Sequence, residues 1–204
     1  MSPQSTLPHA RDPAAALERT LSEWGQQGDM WVFGYASLIW RPAFTHVEHR
    51  PAFVPGWHRA LQMRSRINRG TPQRPGLVFA LLRGGSCRGM VYRIARHRVP
   101  DELVALWERE MPTATYDARW LACRTPAGAV RALGFTLPRD SPAHCGALGD
   151  EEMLHILRHS RGRYGSTLEY LLETARGLRG CGIHDRKVER LVGLAQRHGL
   201  AAPE

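Results

Sequence analysis

Residues 77–94 read Leu-Val-Phe-Ala-Leu-Leu-Arg-Gly-Gly-Ser-Cys-Arg-Gly-Met-Val-Tyr-Arg-Ile. Two short apolar runs, Leu77 to Leu82 and Met90 to Ile94, flank a glycine-rich centre. Apolar runs of this length bounded by glycine are strand signals. The centre, Gly84 to Gly89, lacks the G-K-[ST] ending of a phosphate-binding loop and reads as a tight turn. Similar strands lie on both sides. Upstream, Trp31-Val32-Phe33 is another apolar run. Downstream, Trp120 to Cys123 and Val130 to Leu137 form a hairpin around Pro126-Ala127-Gly128. One helix interrupts this region, from Pro100 to about Met111. Past it the chain becomes helical. Asp150 is expected to cap Glu151 to His159. Ser166 with Glu169 makes a capping box ahead of Leu168, Leu171, Leu172, Ala175 and Leu178. Gly180-Cys181-Gly182 stops that helix, and Asp185 opens the last one. At the other end, Asp12-Pro13 is an N-cap with proline at the first helical position, predicting a helix over 13–25. Strands first and helices last predict an α+β fold.

The 204 residues suit one domain, or one domain with a helical appendage. Hydrophobic residues make up 43% and charged residues 23%, enough for an ordinary core without metal or disulfide staples. No apolar run reaches the roughly 18 residues of a membrane helix, and Met1 to Arg11 is too polar for a secretory signal. Both point to the cytoplasm. Cys87, Cys123, Cys145 and Cys181 are widely spaced, so free thiols are expected rather than a metal site. The net charge is +9, almost all from arginine, with Lys187 the one lysine. The arginines are scattered rather than gathered into a stripe, which argues against nucleic acid. A positive field would favour an anionic small substrate.

Three stretches can carry chemistry. On the helix from Pro100, Leu103, Leu106 and Trp107 form the apolar stripe, and Glu110 points between Leu106 and Trp107. Glu102 and Glu108 point to other, solvated sides. Burial raises a carboxyl pKa, which suits a general acid/base near neutrality. The other reading of Glu110 is a fraying helix end that reaches water or pairs with Arg109 or Arg119. The second stretch is Phe33 to Trp40, where a strand runs into a small-residue turn flanked by aromatics. Successive N–H groups there can hold an anion; equally, it can be a plain strand-ending turn. Ser37 is in no G-x-S-x-G elbow and is not read as a nucleophile. The third is Asn68-Arg69-Gly70-Thr71-Pro72, a surface connection or a rim that meets the polar end of a substrate. His155 and His159 are one helical turn apart, but no third ligand accompanies them, so no metal site is expected.

Taken together, these stretches resemble the ChaC family of glutathione-specific γ-glutamylcyclotransferases. The matches run in order: V-F-G-Y-A-S-L-I-W at 32–40, R-G-T-P-Q-R-P-G-L-V at 69–78, and G-G-S-C-R-G-M-V-Y-R-I at 84–94. W-E-R-E-M at 107–111, C-G-A-L at 145–148, E-Y-L-L-E-T at 169–174 and L-R-G-C-G-I-H-D at 178–185 follow. They span roughly residues 31–194, so the expected organisation is a helical extension over 1–29, the cyclotransferase domain over 30–197 and a tail over 198–204.

The resemblance implies a small β-barrel decorated with helices. It implies that Tyr35, Ala36, Ser37 and Leu38 hold the γ-glutamyl group and that Glu110 is the acid/base; Arg69 and Gly70, on the 68–72 rim, are the candidates for contacting the cysteinylglycine end. The implied reaction is a lyase one, turning glutathione into 5-oxoproline and cysteinylglycine with no water, nucleotide, metal or other cofactor. The implied protein is a cytoplasmic monomer or homodimer that binds neither nucleic acid nor membrane. Two residues depart from the family pattern. Ala36 replaces a glycine, where a methyl would crowd the loop or oppose a positive φ. His144 replaces a tyrosine expected to line the pocket. The alternatives are a cyclotransferase acting on other γ-glutamyl amines or peptides, and a non-catalytic regulatory or binding protein.

Overall fold

The computed structural model describes residues 12–111 and 115–202. The expectation for Met1 to Arg11 lies outside the described residues. Asp12 caps helix α1 (Pro13–Trp24), its carboxylate accepting from the Ala14 N–H at 2.9 Å, and Gly25 ends it at φ 67°. Strand β1 (Met30–Gly34) then leads into a single turn of helix, α2 (Ser37–Trp40).

Two long strands follow, β2 (Glu48–Ser65) and β3 (Gly76–Ile94). The sequence reading needs correction here. Residues 77–82 and 90–94 are not two strands joined by a tight turn but parts of one strand. The glycines of its centre form a bulge: Pro55 pairs with Ser86 but Trp57 with Arg83, so β3 carries one extra residue. Gly84 and Gly85 adopt φ of 104° and 69° there, a conformation open to glycine at little cost. The bend lets one antiparallel pair curl into much of a barrel wall.

A 3-10 turn (Arg96–Arg98) opens α3 (Val99–Glu110), which is followed by the hairpin β4 (Asp117–Thr125) and β5 (Gly128–Thr136). The strands close as β1-β3-β2-β4-β5, with β5 returning to pair parallel with β1. Val32, Phe33, Leu77, Leu81, Leu133 and Phe135 are among the buried residues of its core. Trp107 of α3 packs edge-on to Phe135 at 5.6 Å, and its indole N–H donates to the Pro13 carbonyl of α1 at 2.7 Å.

The helical third holds α4 (Asp150–His159), a two-rung hairpin β6 (Arg161–Gly162) and β7 (Gly165–Ser166), α5 (Thr167–Gly180) and α6 (Arg186–Arg197). Gly149, not Asp150, is the N-cap of α4, and Asp150 pairs with Arg190 of α6 instead. The capping box of Ser166 and Glu169 is formed in full, and Asp185 caps α6. Among the described residues, no helix is long and apolar enough to cross a membrane.

Candidate active site

A small cleft opens where β1 hands over to α2. Tyr35, Ala36, Ser37 and Leu38 form one wall, and Glu110, the last residue of α3, forms another. Phe79 of β3 and Phe135 of β5 floor it, and Tyr116 and Tyr170 close it. The structure thus joins Glu110 to the 35–38 segment across some seventy residues of sequence.

The Glu110 side chain is 15% exposed and shares the cleft with Tyr35, Ser37, Tyr116 and Tyr170. Burial raises its pKa above the ordinary glutamate value, and the Arg109 charge opposes that rise. Arg109 Nε stands 3.1 Å from Glu110 Oε1. Of the two arginine partners open from sequence, Arg109 is the one used; Arg119 pairs with Asp117 at 3.1 Å. The rest of the Arg109 guanidinium donates to Ser37 Oγ at 3.1 Å and to the Arg41 carbonyl at 2.6 Å. One side chain therefore ties the carboxylate to the loop facing it. Glu108 is exposed as expected, whereas Glu102 is only 13% exposed, beside Arg98.

Three tyrosines surround the carboxylate. Burial, reinforced by neighbouring tyrosines and the Glu110 charge, pushes Tyr35 and Tyr116 far above the usual phenol pKa. Burial likewise raises Tyr170. All three stay protonated at neutral pH and can donate O–H bonds. Tyr170 accepts from the Phe79 N–H at 3.3 Å, which leaves its own proton to give.

The remaining expected residues divide. Arg69 reaches the cleft's edge: its guanidinium lies over the Tyr170 ring, 5.0 Å from the centroid, and donates to the Tyr164 carbonyl. Gly70 does not line the cleft; it holds the rim together, since a methyl there would overlap the Gly76 amide nitrogen. His144 is not brought to the cleft. It makes a bridge to Met63 and its ring meets the Arg139 carbonyl at 3.1 Å and Gln62 Oε1 at 3.3 Å. Ala36 has φ −144°, so its methyl meets no positive-φ penalty. Among the described residues no three metal-binding side chains cluster, and all four cysteines are free thiols.

The sequence reading missed Tyr116, Tyr170 and the bridging role of Arg109. Tyr170 had a signal available: it stands one residue before Leu171 on the buried face of its helix.

A carboxylate whose pKa is raised by burial, among neutral phenols and facing a loop of small residues, is chemically able to accept and return a proton. Residues 30–198 match the model of the ChaC-like protein family, and the chain belongs to that family. The glutathione-specific gamma-glutamylcyclotransferase of Escherichia coli K12 is 32% identical over 183 residues, 89% of this chain and 79% of that protein. Human glutathione-specific gamma-glutamylcyclotransferase 1 is 29% identical over 204 residues, 98% of this chain and 91% of that protein. The crystal structure of a yeast γ-glutamyl cyclotransferase specific to glutathione superposes with a TM-score of 0.75 at 19% identity. The match covers 84% of this chain and 97% of that one, a likeness of fold.

Proposed function

We propose that this protein cleaves glutathione to 5-oxoproline and cysteinylglycine, with Glu110 as acid/base. The observation that carries the reading is Glu110, its pKa raised by burial, held opposite the 35–38 segment; the names of the relatives supply the substrate. In the reaction, the α-amine of the γ-glutamyl unit attacks its own γ-carbonyl carbon. A new C–N bond closes the five-membered ring, and the amide C–N bond to cysteine breaks. Glu110 accepts the proton lost by the amine and returns one to the leaving nitrogen. The nucleophile is tethered, so the protein's main work is to hold the substrate folded in the reactive conformer. The 35–38 segment takes the α-carboxylate. Arg69 and the Asn68–Thr71 rim take the cysteinylglycine end, where Ile67 and Tyr164 are also exposed.

In this reading residues 30–197 are the catalytic unit and residues 1–29 an extension, whose helix α1 braces α3 through the Trp107–Pro13 hydrogen bond. The free thiols suit a reducing cytoplasm, and the protein acts there as a monomer or homodimer. The test is incubation of pure protein with glutathione and with γ-glutamyl-alanine, following 5-oxoproline. Glutathione should have the higher kcat/KM. A better kcat/KM for γ-glutamyl-alanine would move the assignment to other γ-glutamyl amines.

A further inference from the structure

Behind the cleft, Arg59 of β2 is buried at 2% exposure, yet it lines neither the cleft nor any surface. Its Nη1 donates to the Tyr35 carbonyl and, at 3.3 Å, to the Arg88 carbonyl. Its Nη2 donates to Asp185 Oδ2 at 2.7 Å. The other Asp185 oxygen caps α6, accepting from Lys187 N–H at 3.0 Å and Val188 N–H at 3.2 Å. One carboxylate therefore does two separate things, one with each oxygen. A buried guanidinium is tolerated only when paired, and the reach to two carbonyls and a carboxylate needs a planar fork that lysine lacks.

From this geometry we propose that Arg59 and Asp185 are a positioning pair that aims the Tyr35–Ala36 peptide at the substrate's γ-glutamyl group. The inference rests on the 35–38 segment being the γ-glutamyl site. A trans peptide is planar, so its C=O and its N–H point in opposite directions. Arg59 holds the Tyr35 C=O towards the barrel wall. The Ala36 N–H of the same peptide must then point away from Arg59, on the side where Ala36 meets the cleft. A charged donor on the carbonyl also polarises the peptide, making that N–H a better donor. The contact acts on a group that grips substrate in the ground and transition states alike, so its loss falls on KM rather than kcat.

Three variants test the pair. Asp185→Asn keeps an oxygen for the cap but turns an amide NH2 towards Arg59, breaking the link. Asp185→Ala loses link and cap together. Arg59→Lys keeps the charge but not the fork. KM for glutathione should rise about 10-fold in all three, the scale of a lost charge-assisted hydrogen bond, with kcat within about 3-fold. Melting temperature should fall most in Asp185→Ala. A KM rise shared by Asp185→Asn and Asp185→Ala despite unequal melting separates positioning from capping. Wild-type KM in Asp185→Asn, with only Asp185→Ala impaired, would overturn the proposal and leave a purely structural cap. So would a fall in kcat at unchanged KM, which would place the effect on Glu110. Turnover of glutathione by the wild type is a separate result. It decides the substrate, while the same KM comparison on whichever γ-glutamyl amine is turned over decides the pair.

Discussion

Two arginine–carboxylate pairs flank the same loop and titrate in opposite directions. In both, burial raises the acid's pKa. For Glu110, the Arg109 charge does not overcome that rise. For Asp185 the opposing contributions win: the Arg59 charge, the Arg59 hydrogen bond, and the N–H groups of Val188 and Lys187 hold it below the usual aspartate value. The difference lies in how many donors each carboxylate receives. A buried carboxylate with its oxygens filled is a fixed anion; one with spare lone pairs is a proton carrier. The number of donors, rather than the number of charges, thus decides the direction in which each carboxylate is shifted.

The largest break in this comparison is Glu110→Gln. It keeps shape and an acceptor for Arg109 but cannot exchange a proton, so kcat should fall by about 100-fold or more, read as 5-oxoproline formation. Glu108→Gln, on the exposed side of the same helix, should stay near wild type. Near wild-type turnover by Glu110→Gln with loss in Glu108→Gln would sink the catalytic assignment.

Next in size is Arg109→Met. Removing the opposing charge should raise the Glu110 pKa further, so less of it is ionised at neutral pH. The acid limb of the kcat/KM profile should move to higher pH by about one unit, so the loss of rate should grow as the pH is lowered and approach about 10-fold on the acid limb. An acid limb left in place would mean that another group sets it.

A smaller effect separates the two acids by stability. The folded pKa of Glu110 is raised, so its favourable contribution is complete below the unfolded value and disappears as pH rises through the folded one. Asp185 is depressed, so its contribution is present above the unfolded value and is lost as pH falls through the folded one. Glu110→Gln should therefore gain in melting temperature relative to wild type as pH rises, while the deficit of Asp185→Asn should shrink in acid. Parallel melting curves across pH would contradict the opposite titrations.

The smallest expected change tests the brace behind Glu110. Trp107→Phe removes the N–H that bonds the Pro13 carbonyl but keeps the ring on Phe135. About 1 kcal/mol should be lost, a fall of roughly 2–4 °C in a chain this size, with kcat little changed.

What the sequence revealed of this arrangement depended on whether the signal was local. The placing of Glu110 was legible because Leu103, Leu106 and Trp107 fix the helix face, and its pairing with Arg109, the other reading, is present as well. The 120–137 hairpin was legible from its turn. β2 was not, because Pro51, Pro55, Gly56 and several arginines and histidines break any alternation. Its strand exists because β3 pairs with it along most of its length. Gly84-Gly85 reads as a turn in the sequence because a bulge and a turn use the same residue. Tyr116, Tyr170 and Arg59 meet the site from distant segments, and His144 leaves it; contacts of that kind come from closure of the barrel, not from spacing.

The rim beside the cleft is held by bare backbone. Arg163 and Tyr164 donate their N–H groups to the Ile67 and Asn68 carbonyls at 2.8 and 2.9 Å. A methyl on Gly162 would stand 2.5 Å from the Gly70 nitrogen. Nothing larger than hydrogen fits between these strands of chain, so this patch has no room to drift one residue at a time. A lineage, or an engineer, seeking a new leaving group would have to work through the side chains that project from the rim, Ile67, Asn68, Arg69 and Tyr164, or replace both loops at once.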